Sequence, residues 1–119
     1  MKLTLLLGAA ATFGGHAAAF YGQMAASDYI YLDGGVEQYV YLTDYNTGST
    51  YSGLFSPGFN GCVEKECGAT FDETSPPYTY KFFAKVWRTE NGCHNIDFQG
   101  AFDSGHGYCC GSLPCDFTA

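Results

Sequence analysis

The side chains in this sequence that can do more than pack are its cysteines, its histidines, one arginine and a run of aromatic residues. Six cysteines, Cys62, Cys67, Cys93, Cys109, Cys110 and Cys115, all fall in the C-terminal half, spaced C-x4-C, C, then CC-x4-C. Such thiols can cross-link or hold a metal. Zinc is weighed on Cys62 and Cys67, with His94 and His106 completing a ligand set. An even cysteine count in an exported chain favours disulfides, because oxidised thiols are not metal ligands. All six are therefore assigned to disulfides, with no metal and no cofactor expected. Adjacent Cys109 and Cys110 are expected to take different partners, since in an extended segment their side chains point to opposite sides.

His94 and His106 are the histidines outside the first 20 residues. With Glu90, Asp97 or Asp103 they supply the groups for acid–base hydrolysis of the kind a small ribonuclease uses. Arg88 is the single arginine and so the one candidate for bidentate phosphate recognition. Against this, His94 follows Cys93 at an expected turn and His106 sits in a Gly-His-Gly loop, which makes both exposed loop residues. Carboxylates in pairs (Asp28 and Asp33, Glu64 and Glu66) and the group Glu64, Glu66, Asp72 and Glu73 read as solvated charge without EF-hand spacing. No G-x-S-x-G and no Walker loop occurs. No catalytic residue is assigned.

The aromatic residues carry the binding expectation. Tyr29, Tyr31, Tyr39 and Tyr41, with Tyr45 beyond them, alternate with aliphatic residues and so form a ladder on one sheet face. Tyrosine joins an apolar ring to a polar tip, which suits a face that meets sugars or a protein; cross-strand pairing within the sheet is the alternative use. Trp87 with Phe83, beside Lys81 and Lys85, makes a second patch. Tyr29, Tyr31, Tyr39, Tyr41 and Trp87 are the candidate binding residues.

The elements that must hold these side chains read as follows. Residues 1–19 form a secretory signal peptide: Lys2 gives a positive start, residues 3–13 an apolar stretch, and Ala17-Ala18-Ala19 a small-residue cleavage site. The expected location is extracellular, and the apolar run is too short for a membrane span. Twelve acidic residues against five basic ones give a net charge of −7, which argues against a nucleic-acid partner. Residues 20–119 are read as a single domain.

Two β-rich runs around Gly34-Gly35 predict a hairpin over 28–42, with Ile30, Leu32, Val40 and Leu42 on the face opposite the tyrosines. Short strands are predicted over 50–55 and 67–72. After Pro76-Pro77 comes the longest β pattern, 78–88, in which Tyr78, Tyr80, Phe82, Ala84 and Val86 share one face. Asn91-Gly92 turns it into a partner strand over 96–102. No helical periodicity is present. The expected fold is all-β, a mostly antiparallel β-sandwich or small barrel of six or seven strands, disulfide-stapled, with an irregular tail over 104–119.

The alanine-rich leader ending at Ala17-Ala18-Ala19, the short mature chain and the six cysteines with the Cys109-Cys110 pair resemble the small secreted cysteine-rich, effector-like proteins of filamentous fungi. The resemblance implies secretion and a role at a host or microbial surface, and no residue role comes with it. The function expected is a secreted, non-enzymatic binding or effector-like protein whose partner is an extracellular protein or a glycan. The alternatives are a ribonuclease-like hydrolase on His94 or His106, and a carbohydrate-binding module on exposed tyrosine or tryptophan.

Overall fold

The computed structural model describes residues 19–119; the leader assigned to residues 1–19 lies outside these apart from Ala19. Nine strands follow in order: β1 (Tyr21–Ala26), β2 (Ile30–Leu32), β3 (Gly35–Asp44), β4 (Thr50–Phe55), β5 (Cys67–Glu73), β6 (Lys81–Arg88), β7 (Cys93–Gln99), β8 (His106–Cys110) and β9 (Cys115–Thr118). All ladders are antiparallel, in the order β8-β7-β6-β5-β4-β3-β1-β9, with β2 also on β3. The result is an all-β, disulfide-stapled, nearly closed barrel.

Closure happens where the end strands β8 and β9 meet. Cys109 and Cys115 are bonded across this seam. Gly107 in β8 permits the close approach, because a Cβ there would stand 2.5 Å from the Phe117 ring and 2.7 Å from the Thr118 carbonyl oxygen. Residues 104–119, expected to be irregular, therefore carry two strands; pairing with β7 and β1 orders a segment whose own composition is poor in strand formers.

The barrel interior is filled by phenyl rings. Phe20, Phe71, Phe82, Phe98 and Phe102 are buried with Met24, Val40, Leu42, Tyr51 and Ile96. Phe82 stacks on Phe71 and meets Phe102 edge-on, at 5.2 and 5.4 Å between centroids. The inward phase expected for β6 holds for Phe82, Ala84 and Val86. Tyr78 and Tyr80 instead precede the strand, and Tyr78 takes a positive φ of 61°.

The hairpin over 28–42 forms, but its turn is Asp33-Gly34, with Leu32 paired to Gly35. More consequential is a one-residue slip between β1 and β2. Ala26 faces Val40, while Ile30, four residues on, faces Glu37, three residues back. The extra residue is a β-bulge at 27–29, and it inverts side-chain phase along the edge. Ser27 fixes it: its N–H donates to the Tyr39 carbonyl (3.0 Å), its Oγ accepts from the Tyr39 N–H (3.0 Å), and its carbonyl accepts from Gln38 Nε2 (2.9 Å).

Candidate functional site

The bulge breaks the expected tyrosine ladder in two. Tyr31 pairs with Val36, so with Tyr29 it shares the side of Gln38, Val40 and Leu42, whereas Tyr39 and Tyr41 project outward. Tyr39 and Tyr41 stack on each other at 6.1 Å. Tyr29 and Tyr31 instead line a cavity of about 330 Å³ with Val36 and Pro57 at one end of the barrel. Ile30 and Leu32, expected with Val40 and Leu42 on the aliphatic face, are exposed, whereas Val40 and Leu42 are buried. The four tyrosines do not form one surface.

Trp87 does acquire aromatic neighbours. It lies on the outer face of β6, opposite Asn95 of β7, which lies opposite Tyr108 of β8; two residues along, Lys85, Asp97 and His106 form the next row on the same face. The Trp87 and His106 rings are parallel at 5.5 Å, and His106 to Tyr108 is 6.4 Å. Asn95 is buried beneath these rings, its Oδ1 3.1 Å from His106 Nε2, and its Nδ2 has no hydrogen-bond partner among the described residues. Tyr108 is 59% exposed.

This aromatic surface continues over the seam into a groove of about 480 Å³, lined by Tyr21, His106, Tyr108, Asp116, Phe117 and Thr118. Asp116 is held by the Tyr45 hydroxyl, which donates to Oδ1 at 2.7 Å, and Tyr45 meets Tyr21 edge-on at 5.3 Å. That bond to a carboxylate raises the Tyr45 pKa. The arrangement offers ring faces for stacking beside a fixed carboxylate that accepts hydrogen bonds from hydroxyls.

His94 and Arg88, read as loop and strand-end residues, sit directly opposite each other across the β6–β7 hairpin. His94 belongs to β7 and His106 to β8, so neither is the loop residue expected. His94 falls in the inward phase of Ile96 and Phe98, whereas His106 pairs with outward-facing Asp97. The two rings lie on opposite faces of one wall, and a site sharing both does not assemble. At the inner position, Phe59 meets the His94 ring edge-on at 4.8 Å. Burial lowers the His94 pKa, and the Arg88 charge lowers it further.

The six sulfurs pair as Cys62–Cys67, Cys93–Cys110 and Cys109–Cys115, so Cys109 and Cys110 do take different partners. No thiolate remains to hold a metal. The acidic group disperses to separate tasks. Asp72 pairs with Lys81, Glu66 lies 3.8 Å from Lys85, Glu73 accepts from the Thr79 and Tyr80 N–H groups, and Glu64 accepts from Glu90 N–H. Among the described residues no helix is long and apolar enough to cross a membrane. Sequence reasoning missed Tyr108, Asp116 and Phe59, whose roles come from cross-strand and cross-seam neighbours.

The chain matches no protein-family model, no curated protein and no solved structure.

Proposed function

We propose that the protein is a secreted, non-enzymatic binding protein that recognises glycans at a host or microbial surface through the aromatic groove on its outer wall. The observation that carries this reading is the continuity of Trp87, His106 and Tyr108 with a groove that ends at Asp116. A pyranose ring stacks on an aromatic face through its C–H bonds while its hydroxyls seek acceptors. Rings with a carboxylate held in place beside them answer both needs.

Three disulfides are suited to the oxidising medium that the leader over residues 1–19 implies. The placement of His94 and His106 on opposite faces favours binding over two-histidine hydrolysis. The direct test is a glycan array probed with the mature chain and with Trp87→Ala and Tyr108→Ala. Each variant is expected to weaken binding about tenfold, roughly the loss of one aromatic contact. Unchanged binding by both variants would sink the reading, as would silence across the array alongside capture of an extracellular protein.

A further inference from the structure

The end of the barrel that carries the β6–β7 and β8–β9 turns opens into a cavity of about 500 Å³, separate from the outer groove. Its lining includes Tyr29, Phe59, Asn60, Arg88, His94 and Ser112. This volume lies in the range of small-molecule pockets, roughly 300–1,000 Å³. The polar inventory of the cavity is specific. Gln38 is already committed, its Nε2 donating to the Ser27 carbonyl and its Oε1 accepting from the Phe59 N–H. Arg88 Nε and His94 Nδ1 are buried and have no hydrogen-bond partner among the described residues.

Arg88 is also the only formal charge in the lining, within a chain of net charge −7. Its backbone is clamped: the N–H donates to the Cys62 carbonyl at 2.8 Å, and its carbonyl accepts from the Glu64 N–H at 2.7 Å. A buried donor left unpaired is costly, and Arg88 Nε is such a donor in the cavity lining, so an acceptor supplied by a ligand would be favoured there.

We propose that this cavity is a second binding site and that it takes a small organic acid, its carboxylate on the Arg88 guanidinium and its apolar body against Tyr29 and Phe59. One guanidinium matches one negative charge, and its planar fork matches a carboxylate bidentately. A phosphate monoester, approaching two negative charges, would call for a further cation or a cluster of backbone N–H groups, and the lining supplies no second cation. His94, kept neutral by burial beside Arg88, adds one hydrogen-bonding nitrogen without adding charge.

Because Arg88 is the only arginine, a single Arg Nε–H resonance reports on the site. The mature chain is titrated with benzoate, phenyl phosphate and benzamide, following that resonance and the backbone amides by ¹⁵N NMR. Benzoate is expected to shift it saturably, phenyl phosphate to bind more weakly, and benzamide to leave it in place. Arg88→Gln should weaken benzoate binding, read from the Phe59 and His94 amides, at least about tenfold, the loss of one charge-assisted pair. Ser112→Trp, which adds an indole at an exposed position of the cavity lining and keeps the arginine, should abolish it even if the Arg88 variant fails to fold. The assignment is overturned if benzamide binds as well as benzoate, if phenyl phosphate binds more tightly, if Ser112→Trp binds normally, or if benzoate moves nothing.

Discussion

His94 and His106 are the same kind of side chain on neighbouring strands of one barrel wall, and they occupy opposite worlds. His94 faces inward among Phe59 and Arg88, where burial depresses its pKa. His106 faces outward, exposed, parallel to Trp87 and beside Tyr108. Nothing but strand phase separates them: along β7 the even residues line the interior and the odd residues the exterior. Each face has then been filled to match: Phe82, Ala84, Val86, Ile96 and Phe98 are buried inside, while Lys81, Phe83 and Tyr108 are exposed outside. The inside of the wall holds the fold except at its open end, where Arg88 and His94 line a cavity, and the outside carries the aromatic groove proposed to meet glycans.

The steepest challenge to that division is Phe98→Ala. Phe98 is fully buried and touches Phe20, Phe82 and Phe102. Its truncation should cost about 3–5 kcal/mol in urea unfolding, while the folded fraction still binds glycans normally. A cost near that of Trp87→Ala on the outer face would erase the contrast.

Next in size is the seam. Cys109→Ser with Cys115→Ser opens a short loop and should lower stability by about 2 kcal/mol. Because Cys115 and Asp116 are adjacent, glycan affinity should fall as well, which isothermal titration can separate from unfolding.

Smaller still is a pH effect specific to the inner histidine. The His94 pKa in the folded protein lies below the ordinary value of 6.5. As pH falls through that value, the unfolded chain therefore takes up the proton first and stability is lost. Above it the contribution is fully present. His94→Gln should flatten the fall in unfolding midpoint between neutral pH and the folded-state pKa; an unchanged slope would place the titration elsewhere. Least of all, Lys81→Ala removes only an exposed pair with Asp72 and should change stability by less than about 0.5 kcal/mol.

Much of this wall is legible in the amino-acid sequence. The β4 strand spans the residues that its composition predicts, and the inward phase of Phe82, Ala84 and Val86 follows from alternation alone. The meeting of Arg88 with His94 was also within reach, since a hairpin centred on Asn91 places them opposite. Other features had no local signal. The bulge at 27–29 depends on how Ser27 bonds to Tyr39 and Gln38, so the split of the tyrosine ladder was invisible in a pattern of period two. β1 reads YGQMAA, and β8 and β9 lie in a stretch interrupted by glycine and proline. These strands exist because their neighbours pair with them. Trp87 stood out as the one tryptophan, but Tyr108 and Asp116 join it only through ladder order and seam closure.

The same uniqueness supplies the sharpest experiment. Trp87 is the only tryptophan, so its emission reports on the outer platform and nothing else. Titrating residues 20–119 with the tightest-binding oligosaccharide from the array should change Trp87 fluorescence saturably, with the same midpoint as calorimetry and with the response weakened about tenfold by Tyr108→Ala. Calorimetric binding with no change in Trp87 emission would place the ligand elsewhere on the barrel and contradict the account.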